Sequence, residues 1–551
     1  MADVVASSLV RLVCDKMGTK LMKEFGLLSG ADKELKKLKG ILEMIRDVLD
    51  DAEVRQEKDK ALRGWLKKLK DVAFEIDDLL DDVAIESVKS ENNRKNGIIG
   101  KVCKLSSLPN SVKFKYAIAH RAKGIREKLD EIAIERSKFH LQVKMTTESN
   151  REDIVIRESS SFVDESEIYG REEDKEKIID SLVNTESKNG LGVVAIVGMG
   201  GLGKTTIAKL VFNNETVRNH FDQFIWVSVN ENFDIRRIIK NILESTSTTN
   251  FDLSLELLQC KLKERLGGRR FLLVPDDVWN ENTEKWDNLR GLLTIGAQGS
   301  KVIVTSRSTR VASIMGTVEP YILAGLSEED CWLLFERRAF TLATTSDTNS
   351  NLVAIGKQIV KKCGGVPLAA KVLGSLMRFK RKESEWLAIR DNDTWNISIV
   401  ENEILPSLRL SYVNLPSHLK QCFAYCALFP KNERIWISDL IQLWIAEGFI
   451  QSSDNRAELK DVGMGFVEEL LSRSLFQVGP MYDGETISCI KIHDLVHDMA
   501  SYVAGEECST IDTDGIITIK ENTRYSSFIW KNSPLFGSIY SLGIPTKLRT
   551  L

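Results

Sequence analysis

The stretch GMGGLGKTT at residues 198–206 constrains the fold of this chain more than any other. It follows the apolar run VVAIV, which is typical of a buried strand, and it leads into TTIAKLVF, which has helical character. The pattern GxxxxGK(S/T) is met by Gly198, Gly203, Lys204 and Thr205. Glycines let the loop wrap a phosphate, and the amides of the loop and the helix start then point at negative charge. The sequence therefore predicts a phosphate-binding loop, with Lys204 supplying a point charge to the β- and γ-phosphates.

A second motif, FLLVPDDVWN at residues 271–280, is an apolar run that ends in paired aspartates. In P-loop NTPases a strand-end aspartate holds Mg²⁺ and a neighbouring carboxylate orients the attacking water. We therefore expect Asp276 to bind Mg²⁺ together with the Thr205 hydroxyl, and Asp277 to have the catalytic role. Arg307 follows a further strand-like run, KVIVTS, from which its guanidinium could reach the γ-phosphate. The alternative for Arg307 is a surface salt bridge.

A proline interrupts the second motif directly before the aspartates. Pro275 has no backbone N–H and fits badly inside a central strand. We predict that it locally distorts the strand end and shifts both aspartates. Handling of Mg²⁺ and ATP would then be weakened more than retention of ADP.

The spacing of apolar runs predicts a multidomain protein of the α and α/β classes. Four short runs, GVVAIVG, QFIWVSV, RRFLLVP and SKVIVTS, are separated by helix-length stretches, which predicts a parallel sheet with helices on both faces. After about residue 325 the strands fade and helical stretches return. Near the C-terminal end a weak β-like pair, LFQVGP and TISCIKI, lies beside helices and suggests a winged-helix module.

Residues 1–140 have helical periodicity. In ALRGWLKKLKDVAFEIDDLLDD the apolar residues recur at steps of three and four, and segments around 4–25, 34–54 and 114–139 have similar character. A bundle of about four helices is the economical interpretation. One helix face is acidic, and it is either simply solvated or suited to docking on a basic partner surface; its residues are Glu75, Asp77, Asp78, Asp81 and Asp82.

These patterns predict domain boundaries along the chain. We expect a coiled-coil four-helix bundle at 1–140, a Ser-rich linker at 141–165, a P-loop nucleotide-binding domain at 166–322, a helical domain at 323–396, a winged-helix domain at 397–510 and a lead-in to a leucine-rich repeat at 511–551. The last expectation comes from KLRTL at the C-terminal end, which is similar to the opening of such a repeat. We expect the rest of the repeat domain to be absent from this chain.

Composition argues against several other classes of protein. A net charge of −3 gives no global attraction to nucleic acid or anionic lipid. Asp3 stands where a signal peptide needs positive charge, and no run approaches the roughly 18–20 apolar residues of a membrane span. Nine scattered cysteines fit reduced thiols in the cytoplasm. HDLVH at 493–497 and the pair Cys422 and Cys426 lack a complete zinc-ligand pattern, so we interpret the two cysteines as core residues.

The motifs stand in an order that resembles the plant disease-resistance receptors of the coiled-coil, nucleotide-binding (NB-ARC), leucine-rich-repeat family. The resemblance covers nearly the whole chain. Its blocks are IYGRE (168–172), GMGGLGKTT (198–206), HFDQFIWVSVNENFD (220–234), FLLVPDDVWN (271–280), GSKVIVTSR (299–307), LSEEDCWLLFERRAF (326–340), CGGVPLA (363–369), CFAYCALFPKN (422–432) and KIHDLVHD (491–498). Two positions depart from the family pattern: Ile492 replaces the usual Met, and Pro275 replaces a branched apolar residue.

The resemblance implies an ADP/ATP switch in which three domains close around ADP at rest. The phosphates would be held by Gly200, Gly201, Leu202, Gly203, Lys204, Thr205 and Thr206. Pro367, in the helical domain (ARC1), would pack near the adenine, and Ile168 and Arg171 would line the nucleoside end. His493, in the winged-helix domain (ARC2), would reach the β-phosphate.

The resemblance also implies what the switch controls. Exchange for ATP with Mg²⁺ would open the domains and allow self-association, and the first helices would then act at the plasma membrane to trigger defence and cell death. A pathogen effector or a guarded host protein would be sensed indirectly, through the repeats. The protein would be cytoplasmic at rest, with at most slow ATPase activity.

Three other functions are open on the sequence alone. The first is a multi-turnover P-loop ATPase. The second is a nucleotide-regulated DNA-binding protein, although 16 acidic against 8 basic residues in 400–510 argue against contact with a phosphate backbone. The third is a helper or decoy without signalling activity.

Overall fold

The computed structural model describes most of the chain. The described residues are 6–17, 32–56, 59–95, 100–139, 141, 167–184, 191–229, 233–244, 254–340, 350–396, 405–431, 433–450, 458–479, 488–512, 520, 522–529 and 547–550. The fragment MYDGE between the two expected strands near the C-terminal end, and most of the expected linker, lie outside them.

The predicted N-terminal helical bundle is confirmed. Its helices are α1 (Ser7–Met17), α2 (Asp32–Arg46), α3 (Leu49–Arg55), α4 (Lys60–Lys95) and α5 (Gly100–Arg136). The stripe expected on α4 faces the core, since all its members are buried: Leu62, Trp65, Leu66, Leu69, Ala73, Ile76, Leu80 and Val83. The segment expected around 34–54 differs from the prediction, because it is two helices with a break at residues 47–48. The Trp65 indole ties α4 to α5 through a 2.8 Å hydrogen bond to the Ile132 carbonyl.

The predicted parallel sheet is also confirmed, with five strands rather than four. The strands are β1 (Gly192–Val197), β2 (Gln223–Ser228), β3 (Phe271–Asp276), β4 (Lys301–Ser306) and β5 (Tyr321–Ile322), in the order β2-β3-β4-β1-β5. Every pairing is parallel. The strand that the sequence did not predict, β5, has two residues, which is too short for a periodic pattern.

Helices cover both faces of this sheet. They are α6 (Glu172–Val183), α7 (Lys204–Asn213), α8 (Glu215–His220), α9 (Ile235–Glu244), α10 (Leu255–Leu266), α11 (Thr283–Leu293) and α12 (Thr309–Met315). Alternate strand residues enter different cores: Leu272 packs in the core that contains α7, and Leu273 in the core that contains α9, α10 and α11. Because side chains alternate across a strand, burial on both faces explains why these strands are continuously apolar.

The C-terminal half begins with a helical unit of α13 (Glu328–Ala339), α14 (Ser350–Lys361), α15 (Pro367–Met377) and α16 (Glu383–Arg390). The winged-helix unit follows, with α17 (Pro406–Val413), α18 (Ser417–Tyr425), β6 (Ile435–Trp436), α19 (Ile437–Ala446), α20 (Leu459–Ser472), β7 (Gln477–Val478), β8 (Cys489–Lys491) and α21 (Asp494–Ala504). The expected pair β7 and β8 is antiparallel, and β6 joins it on the other side of β8. Two further strands, β9 (Cys508–Asp512) and β10 (Tyr525–Ile529), pair in parallel.

The acidic face of α4 has basic partners within the chain. The Arg549 guanidinium lies 2.6 Å from Asp77, 2.8 Å from Asp78 and 2.7 Å from Asp81. Arg524 binds Asp78 through two 3.0 Å hydrogen bonds. The structure differs from both interpretations of this face, because these arginines belong to the same chain and not to a partner surface.

Candidate functional site

The predicted phosphate loop joins β1 to α7. Gly201 and Gly203 have φ angles of 79° and 90°, which glycine adopts without the strain that a β-carbon would cause. Gly203 is the N-cap of α7, which begins at Lys204, so the unpaired amides of the first turn face the loop. A curved glycine backbone against a helix N-terminus is a geometry that binds phosphate.

Lys204 is buried beside the loop. Its Nζ donates a 3.0 Å hydrogen bond to the Met199 carbonyl, and the side chain is buried. Burial, assisted by the nearby charge of Arg307, lowers the pKa of Lys204 to about 8. An anion in the loop would pair with the ammonium and favour its charged form, so the lysine is suited to binding phosphate.

The two residues predicted to bind magnesium are brought together at the end of β3. The Thr205 hydroxyl donates a 2.9 Å hydrogen bond to Asp276 Oδ1, and Thr305 donates a 2.5 Å bond to the same oxygen. Burial raises the pKa of Asp276. A hydroxyl and a buried carboxylate next to a phosphate loop are hard oxygen ligands of the type that Mg²⁺ prefers.

Asp277 adopts an unusual backbone conformation. Its φ angle is 57°, a left-handed value that is strained for a residue with a β-carbon. The strain is stabilised by hydrogen bonds, since its N–H donates to Thr305 Oγ1 at 2.7 Å and its carboxylate accepts from the Trp279 indole at 2.9 Å. This turn directs Asp277 toward the winged-helix unit.

Arg307 lies in the interface with the winged-helix unit. Its guanidinium is 3.3 Å from Asp494 Oδ2 at the start of α21, and it stacks 4.4 Å from the centre of the Trp279 ring. Both charged side chains are largely buried, so this is not the surface salt bridge given as the alternative in the sequence analysis. The pair connects the two units through residues that are 187 positions apart in the chain.

Asp277 and Asp494 form a carboxyl pair across the same interface. Burial, together with the hydrogen bond and the charge of Asp277, raises the pKa of Asp494 to about 8. Burial opposes ionisation of Asp277 too, but hydrogen bonds from Asp494 and Trp279 and the charge of Arg307 outweigh it and lower the pKa. Asp494 therefore holds a proton near neutral pH, and the two carboxyl groups attract rather than repel each other.

His493 is the N-cap of α21. Its Nδ1 accepts a 3.2 Å hydrogen bond from the Leu495 N–H, which leaves Nε2 to carry the proton of the neutral ring. Burial, together with the charges of Arg307 and Lys204, lowers the pKa of His493 to about 4. The neutral imidazole is therefore a hydrogen-bond donor within the same charged cluster as Lys204.

The phosphate loop touches both C-terminal units. The Leu368 N–H in the first turn of α15 donates a 3.3 Å hydrogen bond to the Gly201 carbonyl. A β-carbon on Gly200 would lie 3.0 Å from the Leu495 side chain of α21. The nucleotide-binding, helical and winged-helix units therefore meet at two consecutive glycines.

The residues predicted at the nucleoside end have mixed placements. Pro367 begins α15, directly before Leu368, and Ile168 packs against the main core. Arg171 supports the loop from behind, because its guanidinium donates to the Leu202 carbonyl at 2.8 Å and to the Ala324 carbonyl at 3.0 Å. No pattern in the sequence indicated this supporting contact. The roles of Trp279 and Leu495 were likewise not indicated, beyond the place of these residues in the motifs.

The distortion predicted at Pro275 is limited to one side of β3. The carbonyl of Asp276 accepts from Val229 on the β2 side, so the alternating backbone directs Pro275 toward β4. Pairing with β2 is continuous through Val227 and Pro275, whereas pairing with β4 ends at Leu273. The hydrogen-bond ladder between β3 and β4 therefore ends where the proline lacks an N–H. Asp276 nevertheless still accepts a hydrogen bond from Thr205.

We expect Pro275→Leu to stabilise the protein by about 1 kcal/mol, because leucine restores one backbone donor toward β4. The contact between Asp276 and Thr205 already exists, so nucleotide retention should change little. Thermal unfolding and the nucleotide content of purified protein would measure both effects. An unchanged melting temperature would show that the open ladder carries no energetic penalty.

We expect the packing around His493 to weaken as pH falls. The folded-state pKa of about 4 lies below the ordinary 6.5, so the stabilisation is present above pH 6.5 and is lost as pH falls toward 4. Protonation also removes the acceptor that caps α21. The full loss is roughly 3 kcal/mol. Thermal unfolding from pH 7 to 4.5 would measure it, and a parallel decline in His493→Gln, which lacks the titrating ring, would contradict this assignment.

Three domain families match this chain. The NB-ARC domain matches residues 171–345, the Rx N-terminal domain matches 9–116, and the disease resistance protein winged helix domain matches 428–500. The first range contains the phosphate loop and the last contains His493 and Asp494. The matches therefore cover each side of the interface described above.

Curated plant proteins are similar over most of the chain. It is 44% identical over 515 residues to the putative disease resistance protein RGA4 of Solanum bulbocastanum, which covers 93% of this chain and 50% of that protein. It is 36% identical over 509 residues to the putative disease resistance RPP13-like protein 1 of Arabidopsis thaliana, covering 90% of this chain and 47% of that protein. The chain thus spans about half the length of the curated relatives that it matches.

Within the described ranges, no helix has the length and apolar content needed to cross a membrane.

Proposed function

The chain belongs to the plant disease-resistance proteins that carry an Rx-type N-terminal domain, an NB-ARC domain and a winged-helix domain, and on that premise we propose that it is an adenine-nucleotide switch in immune signalling. Nucleotide binding follows from the NB-ARC domain itself. ADP as the resting ligand, ATP with Mg²⁺ as the active one, and the coupling of either to domain movement belong to the proposal.

One observation carries the proposal: the phosphate loop is in direct contact with both C-terminal units. Gly201 accepts a hydrogen bond from α15, and Gly200 lies against Leu495 of α21. A ligand that fills the loop therefore affects three units at once. Differential affinity of such a ligand for the closed and open arrangements is what a switch requires.

The residues present fit a nucleoside diphosphate. The loop amides and the buried Lys204 would hold the phosphates, and Thr205 with Asp276 would hold Mg²⁺. His493, neutral and with its donor on Nε2, would bind a phosphate oxygen from the winged-helix side. The nucleotide would supply the negative charge that Lys204 and Arg307 attract. Pro367 and Ile168 would lie toward the nucleoside, and Arg171 would contribute at that end by supporting the loop through the Leu202 and Ala324 carbonyls.

The closed arrangement disfavours rapid hydrolysis. Arg307 and Asp277, the two residues with proposed catalytic roles, are engaged by Asp494 and Trp279. Neither can act on a nucleotide until α21 moves away. This supports a switch that hydrolyses ATP slowly at most over a multi-turnover ATPase.

The remaining parts of the proposal extend the family resemblance. We propose the domain boundaries given in the sequence analysis, a cytoplasmic resting protein, self-association on activation, action at the plasma membrane, and indirect sensing of an effector or guarded host protein. These would lead to defence and cell death. The acidic balance of residues 400–510 supports no role for nucleic acid.

The identity of the nucleotide released on denaturing purified protein tests the proposal. We expect ADP at close to one molecule per chain, and ATP turnover far below ~1 s⁻¹, the low end for kinases. Protein that is empty, and whose compactness does not respond to ADP or ATP, would contradict a switch. Turnover at or above that rate would instead support the ATPase.

A further inference from the structure

The start of the N-terminal helix is held by a carboxylate from another helix. Glu53, on α3, is buried, and its Oε1 accepts hydrogen bonds from the Ala6 N–H at 2.9 Å and the Ser7 N–H at 2.7 Å. The first amides of a helix have no partners within the helix, and a negative charge there is favourable. Glu53 therefore acts as a cap for α1 that is supplied from 46 residues away.

The same carboxylate also binds the winged-helix unit. Lys420, on α18, donates a 3.0 Å hydrogen bond to Glu53 Oε2, and both side chains are almost fully buried. The two residues are 367 positions apart. One side chain thus joins the first helix of the chain, the rest of the N-terminal bundle and the winged-helix unit.

The surface around this contact is not tightly packed. A cavity of about 110 Å³ lies beside it, lined by Ser8 and Leu12 of α1 and by Gln421, Phe449 and Phe466 of the winged-helix unit, among others. Among the described residues, the buried hydroxyls of Ser7 and Ser8 have no hydrogen-bond partner. A cavity of this size with polar groups in its walls can hold a few water molecules, so the two surfaces are not in dry contact there. Dispersion contributes less across such a gap. The ion pair between Glu53 and Lys420 is a specific polar link beside it.

We propose that Glu53 is an interdomain clasp that releases the N-terminal helix when Lys420 withdraws. Breaking a buried ion pair by removing one partner leaves a charge that must be hydrated. The hydration of Glu53 competes with its bonds to Ala6 and Ser7, so the first turn of α1 loosens when the winged-helix unit moves. Its part in switching rests on the proposed function, whereas the clasp itself can be tested without reference to nucleotide.

Hydrogen exchange of residues 7–17 in the full-length chain tests the clasp. Lys420→Met should accelerate exchange in α1 by at least about tenfold, because Glu53 loses its buried counter-ion. The double variant Lys420→Met with Glu53→Gln should return to within about threefold of the wild type, since a neutral side chain still accepts from both amides without a buried charge. Lys420→Arg, which keeps the charge, should be protected.

A matched control is Lys68→Met, which removes an exposed ion pair to Glu135 with a similar 3.0 Å distance. It should leave α1 exchange unchanged. If Lys420→Met does not fold, Lys420→Gln takes its place. Exchange in α1 within twofold of the wild type, equal acceleration throughout the chain, or no recovery in the double variant would overturn the proposal.

Nucleotide content measured in the same samples separates the two proposals. Faster exchange in α1 with ADP retained supports the clasp. Wild-type protein without nucleotide would contradict the proposed switch, but the comparison between Lys420→Met and its double variant would still decide the clasp.

Discussion

Lys204→Arg should purify without nucleotide and should bind ADP at least about 100-fold more weakly than the wild type. The lysine is buried, with its ammonium held against the Met199 carbonyl of the loop. A guanidinium is larger and planar, and it cannot replace a compact point charge in that position. Isothermal titration with ADP and chromatography of the denatured supernatant would measure both effects.

Loss of the ligand should also lower stability and signalling. A ligand at about 100 times its dissociation constant contributes about 2.7 kcal/mol, which the variant would lack. On expression in leaf tissue, we expect cell death from the wild-type chain and none from the variant. The matched control is Lys177→Arg, an exposed lysine on α6. Normal ADP content in Lys204→Arg would exclude the phosphate role of this residue.

Gly200→Val should separate the winged-helix unit from the phosphate loop. A β-carbon at this position would already lie 3.0 Å from Leu495, and the methyl groups of valine extend further into that side chain. Leu495 is buried and has little room to move, so relief requires displacement of α21. We expect overpacking of roughly 1–3 kcal/mol, a larger radius of gyration in solution scattering, and faster release of bound nucleotide.

Two further variants make this prediction specific. Leu495→Ala in the Gly200→Val background removes the opposing side chain and should restore compactness. Gly291→Val is the same substitution at an exposed position with nothing within 4 Å, and it should behave as the wild type. Compact Gly200→Val protein that retains nucleotide at the wild-type rate would show that the contact between the loop and α21 does not control closure.

The candidate site brings together charged groups from the nucleotide-binding unit and the winged-helix unit. Asp494 remains protonated beside Asp277, and Arg307 is shared between Asp494 and the Trp279 ring. Movement of α21 would carry Asp494 away and leave Asp277 beside Arg307. The Asp494 carboxyl could then ionise, because it would no longer lie beside Asp277. Under the proposed switch, the cluster would favour two discrete arrangements over a gradual change.

The sequence by itself determined the elements and most of the loop chemistry. The period of the apolar residues predicted α4 and the buried strands, and the spacing of Gly203, Lys204 and Thr205 predicted a phosphate loop that the structure places between β1 and α7. These are local properties, since strand, turn and helix N-terminus are set by residues a few positions apart. Even Pro275 acted locally, by removing one donor toward β4.

Only the tertiary structure decided how the units meet. The contacts between Gly200 and Leu495, Arg307 and Asp494, and Glu53 and Lys420 join residues that are between 187 and 367 positions apart. No periodicity encodes such pairs, because they depend on the relative orientation of units that each fold around their own elements. The pKa of a buried acid also depends on neighbours that only the fold places, which is why the proton held by Asp494 beside Asp277 could not be predicted from either motif.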